Sequence, residues 1–328
     1  MPLLLDERTI AGLLRMEELI DLMEKTLADF SSGRALQPVR TAMALEPHGS
    51  FLASMPGYLP DSGALAVKLV TLAEKNAVRG LPTHLATVLL FDPATGALLA
   101  LLDGLLITEM RTAAVSAAAA RALARPDASA LALLGSGVQA RSHLEAFRCV
   151  RELKRVRVWS PTREHREGFA REQSERTGLP VQAADSAEDA VRSADLVVTA
   201  TSSRSAVLRG AWLEPGAHIT GIGAFRPDWR ELDAEAVARA SVFVDSRAGA
   251  EAEAGDLIHA RNEGAIPPDH VRGEIGEVFA GRIPGRRDPS EITFFKSLGM
   301  AVEDAATAQH VYRRACERGV GVEIGLEG

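Results

Sequence analysis

The feature that most constrains this chain is the run Ala132-Leu133-Leu134-Gly135-Ser136-Gly137-Val138-Gln139-Ala140, an apolar strand that breaks at a glycine turn and passes directly into a helix. Gly135 permits the tight turn and Gly137 lets the backbone approach a pyrophosphate. Ala140 replaces a third glycine and still allows close helix–strand packing. The free N–H groups at the helix start, around Ser136, Val138 and Gln139, suit an anionic phosphate. The flanking sequence agrees. Strand-like runs at Ala130–Leu134, Val156–Trp159, Val181–Ala183, Leu196–Ala200, His218–Ile222 and Val242–Val244 follow one another. Helical stretches at about Gln139–Val150, Arg163–Thr177 and Ala187–Ser193 separate the first of them. This alternation predicts an α/β fold with a Rossmann-type, doubly wound parallel sheet.

The region before residue 116 reads differently. Leu3–Leu5 is a short strand, Asp6 caps a helix over Glu7–Leu14, and Met16–Phe30 has helical apolar spacing. From Val39 to Leu102, short apolar runs alternate with turn signals such as Pro60-Asp61-Ser62-Gly63, which predicts a mostly antiparallel sheet. Ile107–Ala124 is a long Ala-rich helix, and Glu303–Arg318 a last amphipathic one that suits packing on either part. A chain of 328 residues exceeds one typical core. The expected division is an N-terminal α+β domain over 1–115 and a nucleotide-binding domain over 116–301, followed by a C-terminal helix within 302–328.

Composition excludes several classes. The net charge is −7 and no basic run occurs, which argues against a nucleic-acid surface. Two cysteines, Cys149 and Cys316, cannot build a disulfide scaffold and read as semi-buried structural thiols. The eight histidines show no metal-ligand pattern, so no metal is expected. Isolated His48 and His84 read as hydrogen-bonded structural residues. No apolar stretch approaches the ~20 residues of a membrane span, and the acidic start lacks signal-peptide character. A cytoplasmic protein without a membrane partner is expected.

The second strand of the nucleotide domain speaks to cofactor type. An NAD site carries Asp or Glu near its end, about 20 residues past the glycine loop. Here Trp159 is followed by Ser160-Pro161-Thr162-Arg163, and the first acid is Glu164. Ser160, Thr162 and Arg163 offer hydroxyls and a guanidinium to an added 2′-phosphate, which predicts NADPH/NADP over NAD.

The N-terminal part places single cations in apolar strands and helices: Arg40, Lys68 and Arg111. A half-buried cation costs desolvation unless an anion answers it. Either a carboxylate substrate or an internal salt bridge satisfies that demand.

Several blocks together resemble the ornithine cyclodeaminase/mu-crystallin family over nearly the whole chain. They are Lys68 through Asn76, Gly80-Leu81-Pro82-Thr83, Leu89-Leu90-Phe91-Asp92, Leu102-Asp103-Gly104, Thr108 with Arg111-Thr112-Ala113-Ala114, the glycine loop, Ala194 through Thr201, and Lys296 through Asp304. The resemblance implies a homodimer whose N-terminal part, with the chain end, forms the substrate and dimer domain. It implies that Arg40, Lys68 and Arg111 bind a substrate carboxylate. Thr83 and Arg226 would lie beside the substrate, and Met55, Tyr58 and Phe225 would line the pocket. Thr112, Thr199, Ala200, Thr201 and Gly223 would follow the cofactor, with Lys296 and Ser297 at its nicotinamide end.

Cyclodeaminases and alanine dehydrogenases of this family carry an aspartate where this chain has Phe225, directly after Gly223-Ala224. The following Arg226-Pro227-Asp228-Trp229-Arg230-Glu231-Leu232 is instead similar to the ketimine reductase branch. The expected activity is NADPH-dependent reduction of the C=N bond of cyclic imine carboxylates, such as 1-pyrroline-2-carboxylate or 1-piperideine-2-carboxylate, to L-amino acids. Lys68 and Asp228 are the candidate proton donors. A cyclodeaminase, an alanine-type dehydrogenase or a non-catalytic NADPH-binding protein are the alternatives.

Overall fold

The structure is a computed structural model and describes residues 1–325. It divides into two compact units, Met1–Arg111 with Gly299–Gly328, and Thr112–Leu298.

In chain order the first unit supplies β1 (Leu3–Leu5), α1 (Glu7–Leu13), α2 (Met16–Ser31), β2 (Thr41–Leu45), β3 (Ser50–Leu59), β4 (Ala64–Ala73), β5 (His84–Phe91) and β6 (Leu98–Asp103). Helix α3 (Gly104–Leu123) then carries the chain into the second unit. Local chemistry explains the breaks. The Asp6 carboxylate accepts a hydrogen bond from the Thr9 N–H and starts α1. Asp92 accepts from the Ala94 N–H and the Thr95 hydroxyl to close the β5–β6 turn.

The second unit follows with β7 (Ala130–Leu134), α4 (Val138–Val150), β8 (Arg155–Trp159), α5 (Arg163–Thr177), β9 (Val181–Ala183), α6 (Ala187–Val191), β10 (Leu196–Thr199), β11 (His218–Gly221), α7 (Ala234–Arg239), β12 (Ala240–Val244), α8 (Arg247–Glu253), α9 (Gly255–Asn262), β13 (Val271–Glu274), α10 (Ile275–Phe279) and β14 (Ile292–Lys296). The chain returns to the first unit as α11 (Ala301–Arg318) and β15 (Val322–Glu323).

The first unit's sheet runs β15-β1-β6-β5-β4-β3-β2, antiparallel except where β1 lies beside β6. Cross-strand partners share a face, so β3, β4 and β5 form rows. Phe51–Leu72–His84, Ala53–Val70–Ala86 and Met55–Lys68–Val88 line one face. Helix α11 packs on that face, against β3 and β4, with α2 beside it. The opposite face carries Leu52–Thr71–Leu85, Ser54–Leu69–Thr87 and Pro56–Val67–Leu89.

All strand pairs of the second unit's sheet are parallel, in the order β13-β12-β14-β11-β10-β7-β8-β9. From β9 to β14 this is the Rossmann arrangement, with the reversal of strand order at β7 and β10. The expected α/β class is therefore what the chain adopts.

Several details differ from the sequence reading. The C-terminal segment is not helical throughout. α11 ends at Arg318 because Gly319 turns left-handed (φ 63°), and β15 then pairs with β1. Residues 326–328 of that expected segment lie outside the described residues. Cys316 is exposed, while Cys149 is half-buried. Strand β14 was not anticipated, because the short run Ile292-Thr293-Phe294-Phe295 has no periodicity that separates strand from helix.

Candidate active site

In the second unit, register aligns the carboxyl ends of the central strands. Leu134 pairs with Trp159 and Thr199, Thr199 with Gly221, and Gly221 with Lys296. The residues that follow these ends are Gly135–Gln139, Ser160, Ala200 and Thr201, Gly223, and Ser297. Every one of them was a predicted cofactor contact, so the topology gathers those positions along one edge, at the switch point where open α/β sheets bind ligands.

The geometry there fits a dinucleotide. Gly135 has φ 118°, and a Cβ on it would collide with the Ala200 carbonyl. Around Gly137 the space is open: a Cβ would meet nothing within 4 Å. Gly137 is the N-cap of α4 and has no side chain to occupy the first-turn amides, which leaves them for an anion. Gln139 Oε1 and Ser297 Oγ are buried without a partner among the described residues, as polar atoms that await a ligand are. Thr112 is buried near the start of this unit, and its carbonyl accepts from Ser116.

Sequence reading missed Glu231. This fully buried carboxylate receives the Thr199 hydroxyl (2.9 Å), the Thr201 N–H (2.6 Å) and hydroxyl (2.8 Å), and the Gly223 N–H (2.6 Å). It ties the end of β10 to the end of β11. Thr199 and Thr201 therefore donate their hydroxyls to Glu231. Burial pushes the Glu231 carboxyl up, against the pull of Lys296. Lys296 itself is buried in an ion pair with Asp256 (3.0 Å), whose other oxygen accepts the Glu231 and Leu232 N–H groups. Its expected approach to a nicotinamide is replaced by this structural pairing.

At the end of β8, the buried Ser160 accepts a hydrogen bond from the Ser136 hydroxyl (2.9 Å). Thr162 is the N-cap of α5 and keeps its side chain out of the cap. Arg163 is 73% exposed and pairs with Glu167 one turn on. Arg166, unanticipated, donates to the Ser160 carbonyl at 3.0 Å and brings a second guanidinium to this corner.

In the first unit, the three candidate cations come together around two acids of α11. Lys68 Nζ lies 2.6 Å from Asp304, and Arg111 contacts Asp304 (2.9 Å) and Glu303 (2.8 Å), all in buried positions. Arg40, half-buried, donates to the Gly299 carbonyl (3.2 Å). Met55 is the cross-strand partner of Lys68. Thr83 is half-buried, and its carbonyl holds the Ala73 N–H. The internal salt bridges left open by the sequence are thus present. The signal for Glu303 and Asp304 was two adjacent acids at the apolar start of a helix. Burial, opposed by Asp304 and aided by Arg111 and Arg40, brings Lys68 down to about 8. Burial works to raise Asp304, but Arg111 and Lys68 outweigh it and hold that carboxyl below its ordinary value.

Asp228 and Arg226 belong to the second unit. They pair with each other at 3.3 Å with more than two fifths of each side chain exposed, and Arg226 lies over the Trp229 ring. Phe225 packs against the same ring at 5.1 Å. Asp228, a candidate proton donor in the sequence, thus lies at the surface in an ion pair.

The sequence pattern of the Ornithine cyclodeaminase/mu-crystallin family matches residues 2–319. The chain belongs to this family. It is 44% identical over 297 residues to ketimine reductase mu-crystallin of Mus musculus, covering 90% of this chain and 91% of that protein. The structure of Thermococcus litoralis Delta(1)-pyrroline-2-carboxylate reductase in complex with NADH and L-proline superimposes with a TM-score of 0.96 at 41% identity, covering 98% of this chain and 100% of that one. An archaeal alanine dehydrogenase dimer with bound NAD gives 0.94 at 33% identity, covering 99% of each chain.

Proposed function

We propose that this family member reduces the C=N bond of cyclic imine α-carboxylates, such as 1-pyrroline-2-carboxylate or 1-piperideine-2-carboxylate, to L-amino acids with NADPH. The observation that carries the reading is the cluster of buried Lys68, Arg111, Glu303 and Asp304 with half-buried Arg40 beside it. Its cations suit a substrate carboxylate, and the acids hold Lys68 and Arg111 in fixed directions. The reduced nicotinamide, when bound, supplies the hydride to the imine carbon. The substrate nitrogen takes its proton from Lys68, whose depressed pKa lowers the barrier to release. Gly135–Gln139 and the α4 amides hold the pyrophosphate, with Thr112, Ala200, Thr201, Gly223 and Ser297 along the remaining length.

The NADPH preference rests on Ser160, Thr162, Arg163 and Arg166, where the sequence past the end of β8 carries no acid before Glu164. The two relatives described with NADH and NAD make this the point most in need of measurement. Loss of nicotinamide absorbance, followed with both imines and with NADPH or NADH, tests both parts. The expected result is turnover with at least about tenfold preference for NADPH, the worth of one charge-assisted hydrogen bond. Equal rates with NADH overturn the corner, and ammonia release from ornithine without imine reduction overturns the reaction. Phe225 stands against that cyclodeaminase outcome, since it supplies no acid or base. A second copy of this chain is the partner we propose for the outer sheet face.

A further inference from the structure

The two arginines at the start of α5 are held in different ways. Arg163, the guanidinium that the sequence singles out, is exposed, and its Nε donates to Glu167 at 2.7 Å. Glu167 first, then Asp185 and Glu164, answer its charge and push its pKa above the ordinary value. Arg166 is half-buried and folds back toward the end of β8. Its Nη1 donates to the Ser160 carbonyl at 3.0 Å, with the Pro161 carbonyl at 3.5 Å. Among the described residues no carboxylate pairs with Arg166, and its Nε and Nη2 have no partner.

The two unpartnered groups matter because of where they sit on the guanidinium. The Nε N–H and one Nη2 N–H run parallel along a single edge, the fork that meets two oxygens of a phosphate at once. Nη1, fixed on the Ser160 carbonyl, holds the plane, so part of the ordering cost of a long side chain is already met before any ligand arrives. The position agrees with this use. Ser160 directly follows β8, and in a Rossmann sheet the adenosine ribose lies at the end of this second strand. The Ser136 hydroxyl, from the glycine loop, donates to Ser160 and ties the pyrophosphate turn to the same corner. Beside them Thr162 is the N-cap of α5, and its side chain makes no cap hydrogen bond, which leaves its hydroxyl able to donate.

We propose that Arg166 is the residue that sets the cofactor preference, its Nε–Nη2 edge receiving the 2′-phosphate of NADPH with the Thr162 hydroxyl as a neighbouring donor. Arg163 contributes little, because Glu167 already holds it. A guanidinium on an exposed ion pair at a helix start moves with solvent and binds an incoming anion only weakly. This assignment rests on the NADPH reading and is independent of the imine reaction.

Adenosine 2′,5′-bisphosphate and adenosine 5′-monophosphate differ only in the phosphate at issue, so titrating the full-length protein with each measures that contact without turnover. The wild type is expected to bind the bisphosphate at least about tenfold tighter, and Arg166→Gln to bring that ratio close to one. Arg166→Lys keeps the charge without the two-donor edge and is expected to give an intermediate ratio. Arg163→Gln is expected to change the ratio by less than about twofold. The ratio is read rather than either affinity alone, so a general loosening of the site does not move it. A wild-type ratio that survives Arg166→Gln, or one that falls as far in Arg163→Gln, overturns the assignment and leaves the NADPH reading standing. A wild type that binds both nucleotides alike overturns the NADPH reading, and the assignment with it.

Discussion

Lys68 sits 2.6 Å from Asp304 with almost no solvent around it, and two opposing effects set its charge. Burial favours the neutral amine, Asp304 favours the ammonium, and the balance lies at about 8. Below that pH the side chain can both hold a carboxylate and give a proton. kcat/KM for the imine is therefore expected to fall as pH rises through about 8. Lys68→Arg keeps the charge without titrating in this range, and a pH–rate profile is expected to lose that limb. Lys68→Met is expected to lower kcat/KM by about 10²–10³, the scale for removing one positioned charge-stabilising donor. Stability moves the other way. The folded pKa lies below the ordinary value of 10.5, so the unfolded chain binds more protons between about 8 and 10.5, and this group's contribution to stability rises with pH across that window. The cations were legible as single charges in apolar surroundings. Their partners were not, because Asp304 lies 193 residues from Arg111 and only folding brings the two together.

At the level of elements, β7 through β10 and their helices could be read from alternation, since each strand is short, apolar and closed by a turn or helix start. The glycine loop could be read because its backbone demands are local: a left-handed Gly135 and an uncapped α4. What the sequence could not express is how one strand end is fastened to the next. Glu231 performs that fastening by accepting four hydrogen bonds from the ends of β10 and β11. Glu231→Ala leaves the buried Gly223 N–H without an acceptor, at a cost of about 1–3 kcal/mol, and the half-buried Thr201 N–H without its partner. Thermal unfolding is expected to show a clear drop in Tm for that variant. NADPH is expected to restore less stability to it than to the wild type, because Ala200, Thr201 and Gly223 no longer hold their positions. Glu231→Gln keeps the volume and one acceptor oxygen, so its loss is expected to be smaller. An unchanged Tm in Glu231→Ala would mean that β10 and β11 hold their ends together by the sheet ladder alone.

Across the whole molecule, one pH effect and one surface stand out. His84, His143 and His218 are all pushed down by burial, to about 4, 4 and 3. Each binds its proton near 6.5 once unfolded, so their combined contribution is complete above about 6.5 and is lost as pH falls through the folded values. A series of melting curves from about pH 7.5 down to 4.5 is expected to show a steady fall in Tm. The surface is the outer face of the first unit's sheet. An antiparallel sheet with one face on the core normally turns a polar face to water. Here that face presents Leu52, Val67, Leu69, Leu85 and Leu89, with Leu69 and Leu85 37% and 46% exposed. Exposed leucines set among Ser54, Thr71 and Thr87 suit an interface, and packing around a two-fold axis is the commonest way for a chain to cover such a face. Sedimentation of the wild-type chain is expected to give a dimer, and Leu69→Glu with Leu85→Glu a folded monomer, since two carboxylates facing their own copies cannot be desolvated together. A wild type that sediments as a monomer would leave this apolar face uncovered in solution and would remove the second copy as its partner.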